Sequence, residues 1–283
     1  MKKTLLAMIL AILTAALVAC GGADKEEGTT EGAEGETKTI KVGASPVPHV
    51  EILEEAKPLL EEKGIELDIV EFTDYVLPNK SLESEDLDAN YFQHEPYLQS
   101  QIADNDYKFV SAGGVHIEPI GVYSKRHESL DDLPDGAKII MSNSVADHGR
   151  MLSMLEDKGL ITLKEGVDKT AATLEDIAEN PKNLEFEADI EAPMLTKAYE
   201  NDEADAFLIN GNFALQANLN PAEDAIALES PENNPYVNLI VVREGDEDRE
   251  EIKALVEVLQ SEEIQEFIKT KYKGPVISAA QGE

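Results

Sequence analysis

A β-branched, alternating segment at Thr39–Ala44 is followed by Pro48–Glu62, where apolar Val50, Leu53, Ala56, Leu59 and Leu60 recur at helical spacing, and Leu67–Phe72 then alternates again. Strand, helix and strand in that order make a βαβ unit, and this opening constrains the chain more than any other feature, because it demands a sheet with a helix packed on it. Pro58 inside the helical stretch removes a backbone donor and bends it, and Gly64 supplies the stop. Further strands are predicted near Phe109–Val110, Ile117–Tyr123, Lys138–Met141, Ala206–Ile209 and Val237–Val242. Helices are predicted near Arg150–Asp157, Pro193–Glu200 and Arg249–Thr270. The pattern predicts an α/β fold with no internal repeat.

The lone cysteine, Cys20, lies behind an apolar run from Leu5 to Val18 that is headed by Lys2 and Lys3. That run is short for a membrane span, and Leu17-Val18-Ala19-Cys20 fits a cleavage site whose cysteine becomes a lipid attachment point. An uncleaved anchor or an ordinary secretory signal would produce a similar run, but an ordinary signal usually ends in a small-x-small pattern without cysteine. Residues 1–19 therefore read as a signal peptide, and the mature chain as anchored by lipid on the extracytoplasmic face of a membrane. With Cys20 acylated no disulfide can form, so the fold must rest on its apolar cores. Residues 20–38 read as a lipidated tether, since Gly21–Thr37 is Gly, Glu, Thr and Ala with almost no large apolar residue to offset the entropy of ordering.

The formal net charge is −34, which argues against nucleic acid as a partner. The same acidity repels an anionic membrane surface, so attachment would fall to the lipid.

Three stretches carry a resemblance: Phe72-Thr73-Asp74-Tyr75-Val76-Leu77-Pro78-Asn79, Asp88-Ala89-Asn90-Tyr91-Phe92-Gln93-His94-Glu95-Pro96-Tyr97-Leu98, and Ser230-Pro231 through Pro235-Tyr236-Val237-Asn238-Leu239-Ile240-Val241. From about Ile40 to the C-terminal segment the chain resembles the methionine-binding lipoproteins of the NlpA family, the extracytoplasmic receptors of methionine ABC importers. The resemblance implies a two-lobed periplasmic-binding-protein fold, type II-like, with two crossings between lobes and the ligand in the cleft. Lobe 1 would comprise residues 39–124 and 235–283 and lobe 2 residues 125–234, with crossings near Ser124–Leu130 and Asn234–Tyr236. The implied partners are L-methionine or its D-enantiomer, an ABC permease with its ATPase subunits, and the membrane through the lipid; no cofactor is implied.

The same resemblance assigns residues to the three demands of a free amino acid. Arg150, at the end of Asn143-Ser144-Val145-Ala146-Asp147-His148-Gly149-Arg150, matches the family's carboxylate-binding arginine, a role that two parallel guanidinium donors suit. It is expected in the first turn of the following helix, with Asn143 also at the ligand. Asn210 and Asn238 align with polar ligands whose side-chain carbonyls would take the ammonium. Tyr75, Phe92, His94 and Tyr97 match an aromatic cluster that would hold the thioether. One departure is Ser142-Asn143-Ser144-Val145-Ala146-Asp147, where Asp147 puts a negative charge near the expected carboxylate. Read without the resemblance, Arg150 could equally pair with a surface carboxylate, the asparagines could be turn residues, and Phe92 and Tyr97 could be core.

Other chemistries find little support. The chain has no Gly-x-Ser-x-Gly elbow, no Walker or dinucleotide fingerprint, and no His-Glu-x-x-His. His49, His94, His116, His127 and His148 are scattered along the sequence, so a metal site would have to be assembled by the fold. A non-catalytic receptor is the preferred reading, with another small amino acid, a methionine-containing dipeptide or a metal ion as the alternative cargo.

Overall fold

The computed structural model describes residues 37–279. The expected signal peptide, Cys20, the tether up to residue 36 and the C-terminal residues 280–283 lie outside the described residues. Among the described residues no helix is long and apolar enough to cross a membrane.

In chain order the elements begin β1 (Lys38–Ala44), α1 (Glu51–Glu61), β2 (Ile65–Glu71), α2 (Leu77–Glu83), β3 (Ala89–His94), α3 (Glu95–Asn105) and β4 (Phe109–Ile117). Then come β5 (Gly121–Tyr123), β6 (Lys138–Ser142), α4 (Val145–Asp157), β7 (Thr162–Leu163), β8 (Ile177–Glu179), β9 (Glu185–Ile190) and α5 (Leu195–Glu200). The chain closes with β10 (Ala206–Ile209), α6 (Gly211–Gln216), α7 (Pro221–Asp224), β11 (Ala227–Leu228), β12 (Val237–Arg243), α8 (Glu250–Leu259), α9 (Glu262–Tyr272) and β13 (Ile277–Ser278).

The strands form two main sheets, one in each lobe, and β7 and β8 pair separately. The first sheet runs β13-β4-β12-β3-β1-β2, with β1, β2 and β3 parallel and β12 inserted antiparallel between β3 and β4. The second runs β11-β5-β10-β6-β9, with β10, β6 and β9 parallel and β5 antiparallel to β10. In the first lobe, Ile40 and Val42 of β1 pack with Ile52, Leu53 and Leu60 of α1 and with Leu255, Leu259, Ile264 and Ile268 of the terminal helices. The second sheet is buried on both faces: Ile139, Met141, Ala206 and Leu208 join one core, while Ile140, Phe207 and Ile209 join another. Two covered faces explain why β6 and β10 are continuous apolar runs rather than alternating ones.

Three local expectations change. The strand predicted over Ile117–Tyr123 is two strand ends in different sheets, because Pro119 has no N–H to give to a ladder. The chain therefore crosses between lobes at Glu118–Ile120, ahead of the expected Ser124–Leu130, and Gly121–Tyr123 pairs with Ile209–Phe207 in the second sheet. The return crossing lies between Leu228 and Val237. The helix predicted over Arg249–Thr270 is broken at Gln260–Ser261, where the Ser261 hydroxyl caps α9 by accepting from the Ile264 N–H at 3.4 Å. Finally, α4 starts at Val145, so Arg150 stands in its second turn, beyond the free backbone donors of the first.

Candidate functional site

Strands β3, β6 and β10 end at His94, Ser142 and Ile209, and antiparallel β12 begins beside the end of β3, with Asn238 opposite His94. The carboxyl edges of both sheets thus meet, as is usual for ligand sites in open α/β sheets. Between them lies a small cavity whose walls include Tyr75, Phe92, His94, Tyr97, Arg150, Asn210 and Asn238, together with His49, Glu118, Asp147 and Asn212. Its interior of about 30 Å³ has room for about two water molecules. Asn143 is exposed and lies outside it, on a larger groove of about 1240 Å³ that Tyr75 and Tyr97 separate from the cavity and that exposed Val76, Leu77 and Val145 also border. The larger space is mainly apolar along these residues, whereas the smaller one gathers the converging polar side chains that orient a small molecule.

Arg150 is 6% exposed. Its Nε donates to both carboxylate oxygens of Glu229 at 3.1 Å, Nη2 bonds Glu229 and the Glu118 main-chain oxygen, the latter at 2.8 Å, and the guanidinium lies 4.3 Å over the Tyr236 ring. The Nε–Nη2 edge, one pair of parallel donors that could hold a carboxylate, is therefore occupied by Glu229. Nη1 is left with a 3.8 Å approach to Asp147. Burial works against the charge of Arg150, but Glu229 and then Asp147 more than compensate and raise its pKa. Glu229 also accepts from the Ile120 N–H at 3.1 Å, so Arg150 and Glu229 tie the first crossing to the start of the return crossing.

Among the described residues two side-chain hydrogen bonds join the lobes. His94 Nε2 lies 3.0 Å from Asp147 Oδ1, and Tyr75 donates its hydroxyl to Asn212 Oδ1 at 2.6 Å. Asp147 also accepts from Asn210 Nδ2 at 3.3 Å. Burial pushes the Asp147 carboxyl up, yet the His94 hydrogen bond and charge, with Arg150 behind them, hold it down to about 2. The negative charge that the sequence placed near the ligand carboxylate is thus already paired. Two buried polar atoms of these amides have no hydrogen-bond partner among the described residues: the acceptor Asn210 Oδ1 and the donor Asn212 Nδ2.

Behind this layer, the fold assembles histidines that are scattered in sequence. His49 and His116 are 1% and 0% exposed. His116 Nε2 lies 2.7 Å from Glu118 Oε1, His49 Nε2 lies 3.3 Å from the same oxygen and 2.9 Å from Asn238 Oδ1, and Tyr91 bonds His116 Nδ1. Burial lowers His49 to about 4 and His116 to about 3, and raises Glu118. With His49 Nε2 facing two acceptors, it carries the ring proton and the Asn238 carbonyl accepts it. Asn238 then turns its amino group, rather than the expected carbonyl, to other partners. Among the described residues His49, His116 and Glu118 form the one group whose donor atoms could hold a metal ion, all lying within 4.8 Å of one another. An ion there would have to displace the protons of these hydrogen bonds.

The aromatic side chains expected at the ligand do gather. Tyr75 lies 6.0 Å from both Phe92 and Tyr97, and His94 lies 6.4 Å from Tyr97. The second lobe adds Phe213, 5.1 Å from Tyr75, and the return crossing adds Tyr236, 5.0 Å from His94. Glu118, Glu229 and Phe213 escaped the sequence reading; a carboxylate before a proline that splits an apolar run was the available signal for Glu118.

Two α/β lobes joined by two crossings, with their strand ends converging on one buried polar cavity, define a substrate-binding protein of the periplasmic-binding-protein fold. The chain belongs to the NlpA lipoprotein family, whose profile matches residues 40–280. It is 52% identical over 283 residues to the methionine-binding lipoprotein MetQ of Bacillus subtilis (strain 168), covering 99% of this chain and 100% of that one. It is 40% identical over 276 residues to the D-methionine-binding lipoprotein MetQ of Salmonella typhi, covering 97% of each. The solved structure of a nutrient binding protein from Burkholderia cenocepacia bound to methionine is 46% identical and superposes with a TM-score of 0.80, covering 85% of this chain and 99% of that one.

Proposed function

We propose that this chain is a lipid-anchored extracytoplasmic receptor that binds methionine in the central cavity and hands it to an ABC importer. The observation that carries the reading is the pair of orphaned atoms at the cavity, Asn210 Oδ1 and Asn212 Nδ2, on residues that line it together with a buried arginine. Buried polar groups are nearly always paired, so an unmet acceptor and an unmet donor in one site ask for a ligand with a cationic and an anionic end. The carboxylate takes Arg150 Nη1 and the amino groups of Asn212 and Asn238, and Asn210 Oδ1 accepts from the ammonium. The thioether lies against Tyr75, Phe92 and Tyr97, whose faces suit a polarizable sulfur. The relatives named for methionine and D-methionine, and the methionine-bound neighbour, support that choice of cargo.

The cavity falls well short of the roughly 300–1,000 Å³ usual for small-molecule sites. The lobes therefore part to admit the solute and close on it, the ligand displacing the His94–Asp147 and Tyr75–Asn212 contacts, and the closed form presents the surface that the permease reads. Holding rather than reacting fits the chemistry: among the described residues that line the cavity, its histidines and carboxylates pair with one another and no serine, threonine, cysteine or lysine stands beside them as a nucleophile. The anchor is the acylated Cys20, in keeping with the lipoprotein names of the relatives.

Isothermal titration of the detergent-solubilised full chain with each methionine enantiomer is expected to show saturable one-to-one binding of at least one, weakened roughly 100-fold by Arg150→Ala. Indifference to both enantiomers rejects methionine as the cargo.

A further inference from the structure

Glu118 stands apart from the other charges around the cavity because no lysine or arginine among the described residues pairs with its side chain. Arg150 uses its Nε–Nη2 edge on Glu229 and meets Glu118 only at the main-chain oxygen. Asp147 has His94 at 3.0 Å. Glu118 Oε1 has His116 at 2.7 Å and His49 at 3.3 Å, and burial keeps both rings neutral at pH 7, with values of about 3 and about 4.

The hydrogen-bond chain accommodates an ionised carboxyl. If His116 Nε2–H donates to an ionised Glu118, His116 Nδ1 is free to accept from the Tyr91 hydroxyl and every proton finds an acceptor. A protonated Glu118 keeps the same ring arrangement by carrying its hydrogen on Oε2, so what meets Oε2 decides the charge. Glu118 is 5% exposed and burial works against its charge, so the ionised form is costly until a cation meets it. Its second oxygen, Oε2, is turned toward the other lobe, where a Cβ added to Gly211 would come within 3.2 Å of it. That is the same short stretch that carries the orphaned Asn210 Oδ1. Two acceptors, one from the crossing and one from the end of β10, thus line the same small space.

We propose that Glu118 is the counter-ion for the ammonium of the bound solute, so that the site selects solutes carrying a free cationic amine. This rests on the amino-acid reading above. His49 and His116 act as positioning residues that engage Oε1 and leave Oε2 facing the other lobe.

The test compares methionine with 4-(methylsulfanyl)butanoate, which is methionine without its amino group, on the detergent-solubilised full chain and on Glu118→Gln. The wild-type chain is expected to prefer methionine by about 100-fold or more. In Glu118→Gln, methionine affinity should fall by a similar factor while the deaminated analogue is held as before, so the preference collapses. Wild-type methionine affinity in Glu118→Gln, or an undiminished preference, overturns the assignment and leaves the methionine reading intact. A wild-type chain that binds neither compound overturns both. Should Glu118→Gln fail to fold, Glu118→Asp keeps the charge but withdraws it by one methylene: a loss confined to methionine supports the proposal, and an equal loss for both compounds contradicts it.

Discussion

His49 and His116 show how far a residue's behaviour departs from its type. Burial lowers them from the ordinary 6.5 to about 4 and about 3, so the folded chain refuses protons that the unfolded chain accepts. The stabilisation from holding them neutral is complete above about pH 6.5 and drains away as the pH falls toward those values. A pKa lowered by one corresponds to about 1.4 kcal/mol of preference for the neutral ring. Comparing the wild-type chain with His116→Gln cancels the titration of the acidic surface. The stability advantage of the wild type, measured by urea unfolding without ligand, should shrink by about 2–3 kcal/mol between pH 7 and pH 4.5; an advantage constant across that range would contradict neutral burial. At this scale the motifs pointed to seven side chains that share the cavity, Tyr75, Phe92, His94, Tyr97, Arg150, Asn210 and Asn238. What they did not reveal is who pairs with whom. Glu229 lies 79 positions from Arg150, and Asn238 lies 189 from His49, separations that no local spacing rule spans.

At the scale of elements, the strands and helices were largely legible because apolar periodicity is a local signal. The errors fall at single residues that break hydrogen-bond ladders: Pro119 divides one expected strand between two sheets, and Ser261 divides one expected helix in two. Helix α4, which carries Asp147 and Arg150 on neighbouring turns, is placed by a close approach that only glycine allows. A Cβ at Gly149 would stand 2.3 Å from the Lys169 carbonyl oxygen and 2.6 Å from that of Thr170. Backbone cannot swing aside as a flexible side chain can, so Gly149→Ala must push the helix off the 169–170 segment, at a cost of about 1–3 kcal/mol or more. A urea midpoint lowered accordingly is expected; an unchanged midpoint would show that the two segments part without strain. Nothing in the sequence around Gly149 marks this constraint, because its partner segment lies 20 residues further on.

For the whole molecule, two sheets that each bury their own core are joined along the described chain through Glu118–Ile120 and the segment between Leu228 and Val237. Arg150 and Glu229 bind those two segments together, while His94–Asp147 and Tyr75–Asn212 hold the facing edges. In the proposed reading, solute capture and lobe position draw on the same side chains, which is how a small molecule can change the shape of a large one. The decisive experiment is a crystal structure of the chain grown with methionine. Electron density for the amino acid is expected in the cavity, its carboxylate at Arg150 and Asn212, its ammonium at Asn210 and Glu118, and its sulfur against Tyr75 and Phe92. Methionine seated instead in the outer groove beside Val76 and Val145, with Arg150 and Glu118 making no contact to it, would show that the buried cavity is not the binding site.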